Sequence, residues 1–234
     1  MKTAMIFAAG RGERLRPLTD TCPKALCEVH GVPLIEYHIR HLAKAGVNTI
    51  LINHAYLGGA IRDYLGDGSR FDIQIMYCPE PPGALETGGA IVNARKLIGH
   101  EPFITVNADI FTDYDFSALS LSQNRLAHLV LVSQPSYYEH ADFGLSKEGL
   151  LIQESKTFTF SGIACYNPAL FESLKPGRFS ITPLIKQQAE AKKVSGEIYQ
   201  GQWIDIGTTE RLKLAHHVDL AHYPLSTFKK IPSN

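Results

Sequence analysis

The residues best suited to chemistry in this chain lie between positions 10 and 24: Gly10-Arg11-Gly12-Glu13-Arg14, then Pro23-Lys24. They follow a short apolar run, residues 4–8, that reads as a buried strand. Glycines at 10 and 12 let the backbone turn sharply and come close to a ligand. Backbone N–H groups in such a loop point at anions, and arginines add charge-assisted, often bidentate, bonds to phosphate. Two common phosphate loops do not fit. A G-x-G-x-x-G needs glycine at 15, where Leu15 stands, and no G-x-x-x-x-G-K-[ST] string occurs. A solvated surface loop is the alternative for these residues taken alone.

Two carboxylates stand out beside apolar runs. Asp109 closes Val106-Asn107-Ala108-Asp109, and Asp205 sits in Trp203-Ile204-Asp205-Ile206-Gly207-Thr208. An aspartate at a strand end is poorly solvated without a partner. Two converging carboxylates and a triphosphate would make a hard oxygen site suited to Mg²⁺. Helix capping fits each aspartate equally well from the residues alone. If both are ligands, asparagine at either position should raise the demand for metal and leave the fold intact. Gly88 and Gly89, at a helix start in Leu85-Glu86-Thr87-Gly88-Gly89, permit close approach of a flat base or a phosphate. Asp142 is either an acceptor for a sugar hydroxyl or a turn aspartate.

These groups need a scaffold, and short apolar runs alternate with helical patterns to provide one. Strands are expected at 4–8, 49–52, 73–77, 103–106, 129–132, 160–166 and 202–206. Helices are expected from Leu34 to Gly46, which closes the first, and over 60–65, 88–98, 182–193 and 208–222. That order implies an α/β fold, a Rossmann-like, mostly parallel sheet flanked by helices. Residues from about 135 to 160 read as short strands and turns, a small substrate-binding lobe inserted over the sheet. One domain over 1–234 with this lobe is the economical reading.

Composition narrows the partners. Lysine plus arginine balances aspartate plus glutamate, 23 against 23, which gives no reason to expect nucleic acid or an anionic membrane surface. A local basic pocket is still expected from the loop arginines. No run approaches the ~20 apolar residues of a membrane span, and the first apolar stretch is too short for a signal peptide. Cys22, Cys27, Cys78 and Cys165 form no C-x-x-C pair, so reduced thiols in a cytoplasmic protein are expected.

The stretch from Gly10 to Lys24 resembles the signature of the sugar-nucleotide pyrophosphorylases, the sugar-1-phosphate nucleotidyltransferases. That signature is G-x-G-[ST]-R-[LM]-x-P-L-T followed by a P-K dipeptide, and Glu13 stands here where the family usually has serine or threonine. Asp109 and Asp205 match the family's two metal-binding aspartates, in V-x-x-D and W-x-D-x-G-T. Leu85–Gly89 resembles its L-G-T-A-G segment, which borders the nucleobase. The resemblance implies that Gly10, Arg11, Gly12, Glu13, Arg14 and Lys24 hold the NTP, with Arg14 and Lys24 catalytic. It implies base contact at Gly88 and Gly89, and contacts to both substrates near Asn107. Asp109 and Asp205 would bind Mg²⁺, while Asp142, Glu154, Gly162 and Asp205 would face the sugar. Relatives often carry E-K-P before an S-x-G-x-Y strand. Glu154 and Gly162 match, and Lys156 is displaced by one position.

Within the family the chain is similar to the short bacterial N-acetylmuramate α-1-phosphate uridylyltransferases, through Gly12-Glu13-Arg14, Ile52-Asn53-His54-Ala55, Leu85–Gly89, Ala141-Asp142-Phe143 and Val194-Ser195-Gly196-Glu197. As in them, no C-terminal β-helix is expected. This resemblance implies UTP and a sugar 1-phosphate as substrates, Mg²⁺ as cofactor, a role in cell-wall recycling and a monomer or small homo-oligomer. Two other readings compete: a relative with another base and sugar, such as GTP with mannose 1-phosphate or dTTP with glucose 1-phosphate, and a catalytically dead regulatory subunit. Retention of Lys24, Asp109 and Asp205 argues against the second.

Overall fold

The computed structural model describes residues 1–220. In chain order the strands and helices are β1 (Thr3–Phe7), β2 (Glu28–Val29), β3 (Val32–Pro33), α1 (Leu34–Lys44), β4 (Thr49–His54), α2 (Gly58–Leu65), β5 (Gln74–Pro79) and α3 (Glu86–Ile98). They continue with β6 (Phe103–Asn107), β7 (Ile110–Thr112), β8 (Ala127–Ser133), β9 (Gly144–Leu145), β10 (Leu151–Ile152), β11 (Phe158–Tyr166), α4 (Thr182–Glu190), β12 (Val194–Tyr199), β13 (Trp203–Asp205) and α5 (Thr209–Ala215).

Seven strands form the central sheet in the order β12-β8-β11-β6-β1-β4-β5. Only β11 runs against its neighbours; the other pairs are parallel. This is the mostly parallel α/β sheet read from the alternating pattern, and no β-helix occurs among the described residues. Strand alternation sorts the core into two layers. Ala4 and Ile6 of β1 face the apolar stripe of α1, Ile35, Ile39 and Leu42, together with Ile61 and Leu65 of α2. Met5 faces the other way, onto Ala90, Ile91, Ala94 and Ile98 of α3 and Ile185 and Ala189 of α4. Each fully buried aliphatic side chain of this kind contributes about 1.5–3 kcal/mol.

A third, smaller cluster matters for function. Leu15, Val29, Leu34, Tyr37, Phe111, Ile204, Ile206 and Ala215 pack together. They tie the segment after the glycine-arginine loop to the β7–β13 ribbon and to α5. Residues 135–160 fold back on the sheet through the β9–β10 hairpin. There the N–H groups of Asp142 and Phe143 both donate to the Phe158 carbonyl, at 2.8 and 3.1 Å.

Several boundaries differ from the pattern-based expectation. α4 stops at Glu190, because Lys192 takes a left-handed φ of +56° that a helix cannot continue through. α3 begins two residues early, at Glu86. α5 ends at Ala215, seven residues short of the expected end, and His222 lies outside the described residues. β7 and β12 were not anticipated as strands. β7 is only three residues long, and β12 reads Val194-Ser195-Gly196, with a glycine that weakens any strand pattern.

Candidate active site

The carboxyl ends of β1, β4 and β6 open onto a cleft of about 880 Å³. This is where open α/β sheets take ligands. Gly10, Arg11, Gly12 and Glu13 form one wall, with Lys24, Asn107 and Asp109 at its base. Gly12 has φ +70°, and a Cβ there would lie 3.0 Å from Lys24 Cβ and 3.1 Å from Thr19 Cγ2. Glycine is therefore what allows the Lys24 stem to cross the loop. The Thr19 hydroxyl donates to the Gly12 carbonyl at 2.8 Å and holds the turn. Gly10 is exposed with open space around it. Arg11 lies over the Tyr56 ring, 5.1 Å from its centroid, and 3.9 Å from Glu13.

Lys24 Nζ donates to Asp109 Oδ2. The lysine side chain is 14 % exposed and the aspartate 30 %, so the pair stands at the cleft surface where a ligand can reach it. β7 and β13 are antiparallel, with Asp205 opposite Ile110 and the Ile206 N–H donating to the Asp109 carbonyl at 2.7 Å. The two aspartates thus come from adjacent backbones.

Their surroundings differ. Asp205 is buried and ion-paired to Arg211, itself buried, from α5. A Cβ on Gly207 would lie 2.2 Å from Arg211 Nη2 and 2.9 Å from Arg14 Nη2, so the missing side chain makes room for both guanidiniums. Tyr137 stacks on Arg211 at 4.6 Å. Burial works against the Arg211 charge, but Asp205 raises its pKa on balance. Burial, and then the Asp205 carboxylate, push the Tyr138 phenol up. Thr208 caps α5 by accepting from the Arg211 N–H at 3.4 Å. Neither Asp205 nor Arg14 lines the cleft itself.

The other sequence candidates fall into place unevenly. Gly162, at φ +82° in the β11 irregularity, abuts Asn107, where a Cβ would meet Nδ2 at 2.6 Å. Asp142 Oδ2 accepts from the Phe160 N–H at 2.9 Å, a structural task that leaves one oxygen for other work. Glu154 and Lys156 are exposed and outside the cleft lining.

Gly88 and Gly89 pack against another segment of the protein. Their N–H groups donate to the Phe179 carbonyl at 3.0 and 3.1 Å. A Cβ on Gly88 would meet the Phe179 ring at 2.4 Å, and one on Gly89 the Gly177 carbonyl at 2.2 Å. The space these glycines leave is filled by the segment before α4, whereas Glu86 and Thr87 line the cleft. Because the Gly177 obstacle is backbone, Gly89→Ala should destabilise the fold by about 1–3 kcal/mol. A denaturant midpoint equal to the parent's would show that the segment yields freely.

Two contributors, Glu80 and Arg178, escaped the sequence reading, and a third, Asn53, entered it only as part of a matching motif. Asn53 Oδ1 accepts from the Ala8 N–H at 3.0 Å, and its Nδ2 donates to Glu80 Oε1 at 2.8 Å. Glu80 Oε2 accepts from the Leu85 N–H at 2.7 Å. This brace fixes the loop after β1 against the entry to α3. The polar end of Ile52-Asn53-His54, at the close of buried strand β4, is the signal for Asn53. Arg178 also lines the cleft, 3.2 Å from Glu86 Oε1.

The electrostatics revise a further expectation. The cleft cations Arg11, Lys24 and Arg178 are each paired with a carboxylate, Glu13, Asp109 and Glu86 respectively, so the pocket is not basic. The donor chemistry suits a hard divalent ion, with carboxylate oxygens on adjacent backbones. No group of three or more His, Cys, Asp or Glu side chains converges on a metal position among the described residues, so phosphate oxygens would have to complete the shell. No described helix is long and apolar enough to cross a membrane.

Comparison with known proteins gives the family and the fold. The model of the nucleotidyl transferase family matches residues 3–221. The chain is 45 % identical over 221 residues to the N-acetylmuramate alpha-1-phosphate uridylyltransferase of Neisseria meningitidis serogroup B, covering 91 % of this chain and 96 % of that one. It is 30 % identical over 236 residues to the enzyme of the same name from Caulobacter vibrioides, covering 94 % and 97 %. Among solved structures, a UDP-glucose pyrophosphorylase complexed with UDP-glucose superposes with a TM-score of 0.73 at 22 % identity, covering 92 % and 97 %, which speaks to the fold. Enzymes of this family generally use a divalent metal.

Proposed function

Because the chain belongs to the nucleotidyl transferase family, we propose that it transfers the uridylyl group of UTP to N-acetylmuramate α-1-phosphate, giving UDP-N-acetylmuramate and pyrophosphate. The match along nearly the full length of both chains carries the choice of base and sugar. This assignment puts the enzyme in the cytoplasm, in the recycling of cell-wall sugars.

The chemistry is in-line attack by a sugar-phosphate oxygen on the α-phosphorus of UTP. The nucleophile is already ionised, so no general base is needed. Catalysis is then positioning plus charge stabilisation, as in other phosphoryl transfers. Lys24, at the foot of the glycine-arginine loop, reaches the α-phosphate and the incoming phosphate together. Arg11 and the loop N–H groups hold the departing pyrophosphate, and Arg14 supports it from the Gly207 side. Asn107, which packs on Gly162 and lines the cleft, would contact the nucleotide and the sugar phosphate. Mg²⁺, held by Asp109 and Asp205 with the phosphates, would neutralise the charge that two polyanions bring to a self-paired cleft.

The test is kcat/KM for N-acetylmuramate 1-phosphate and for N-acetylglucosamine 1-phosphate, at fixed UTP and Mg²⁺. The two sugars differ by a lactyl ether carrying a carboxylate. One charged hydrogen bond in a partly desolvated site gives a preference of roughly ten- to a hundredfold for the muramate. Equal or reversed values would remove the muramate assignment. The same assay with GTP and dTTP in place of UTP tests the base.

A further inference from the structure

Both carboxylates proposed as metal ligands already carry a cation: Lys24 on Asp109 and Arg211 on Asp205. The two pairs are not equivalent. Lys24 lines the cleft and is positioned to meet phosphate, whereas Arg211 lies outside the cleft lining. Its guanidinium is buried, packed over Tyr137, and reaches Asp205 through the space left by Gly207. Local sequence builds this arrangement. Asp205 ends β13, Gly207 lacks the obstructing Cβ, Thr208 caps α5, and Arg211 in the first turn swings back to the aspartate.

A buried carboxylate without a partner is costly, and so is a buried guanidinium. With no metal bound, the ion pair answers both. When a divalent ion approaches Asp205, the same guanidinium repels it. From this geometry we infer that Arg211 is a resident counter-cation for Asp205, a positioning residue that suppresses metal binding until a triphosphate supplies the missing negative charge. The inference rests on the proposed role of Asp205 as a ligand. It predicts an unusual sign: removing Arg211 strengthens metal binding by the nucleotide-free protein. Loss of a merely structural contact would not do that.

The experiment is a Mn²⁺ titration of the intact, nucleotide-free protein, followed by electron paramagnetic resonance and by thermal unfolding. Arg211→Gln should bind Mn²⁺ tighter than the parent by about tenfold or more, the scale on which partners of metal ligands act. Mn²⁺ should also raise its Tm more than the parent's. Arg211→Lys, which keeps the charge, should behave as the parent does. Adding Asp205→Asn to Arg211→Gln should abolish the gain. If Arg211→Gln does not fold, Arg211→Met, which keeps the length of the side chain and removes its charge, should shift Mn²⁺ affinity in the same direction. Equal Mn²⁺ affinity in the parent and Arg211→Gln, or a gain that survives Asp205→Asn, overturns the inference. No sugar or nucleotide enters the titration, so failure of the muramate assay leaves it standing. Unchanged Mn²⁺ affinity alongside Asp205-dependent turnover removes the counter-cation role alone.

Discussion

Lys24→Ala is expected to lower kcat by roughly 10²–10³, the usual loss when one preorganised electrostatic donor is removed, while weakening UTP binding much less. Lys24 contacts Asp109 and crosses Gly12 at the base of the phosphate loop. Its proposed place is between two phosphates, where charge accumulates only once both substrates are bound. The ground-state complex with UTP should therefore lose little. Steady-state kcat and KM, with a separate binding titration of UTP, divide these effects. A near-normal kcat would sink the role, and a loss confined to KM would make Lys24 a binding residue only. Lys24→Arg is a useful companion. The guanidinium keeps the charge but is a planar fork that the narrow passage beside Gly12 does not suit, so recovery should be partial.

Asp205→Asn is expected to do two things, and Asp109→Asn only one. Both should shift activity to much higher Mg²⁺, since each removes a proposed ligand charge. Asp109 is 30 % exposed and its partner Lys24 stands at the cleft, so Asp109→Asn should leave stability close to the parent's. Asp205 and Arg211 side chains are only 12 % and 10 % exposed. Replacing the carboxylate leaves a buried guanidinium uncompensated, at a cost of about 3 kcal/mol. Inspection of the sequence predicts an intact fold for both variants; the burial of the Asp205–Arg211 pair revises that for one of them. Denaturant unfolding and a Mg²⁺ dependence of turnover, measured on both proteins, check the contrast. Normal turnover at low Mg²⁺ in either variant would make that aspartate a structural residue rather than a ligand. Equal stability of the two would contradict the buried-pair account.

Much of the fold was legible because local patterns and tertiary packing agree. The short apolar run 4–8, bounded by a glycine loop, reads as a buried strand by its length and flanks, and the apolar stripe Ile35, Ile39, Leu42 states the helical period. Gly12 could be read as special because a tight loop needs a left-handed residue, and its φ of +70° bears out that need. Lys24 and Asp109 could be named from their motifs. That they touch, across 85 residues of sequence, is a result of parallel β1 and β6 lying side by side.

What only the tertiary structure decided is which partner each group finds. Gly88 and Gly89 look alike as helix-start glycines whether a base or a protein segment fills the space. Phe179 and Gly177, about ninety residues away, occupy the space on the Cβ side of both. Asp109 and Asp205 look alike as strand-end aspartates, yet one faces the cleft and the other is sealed against Arg211. The charge total of 23 against 23 says nothing of the pocket, where every cation is matched locally. Short-range spacing encodes periodicity, turns and caps, because those depend on neighbours within a few residues. Desolvation and pairing depend on what the fold brings within a few ångströms, and no local pattern carries that information.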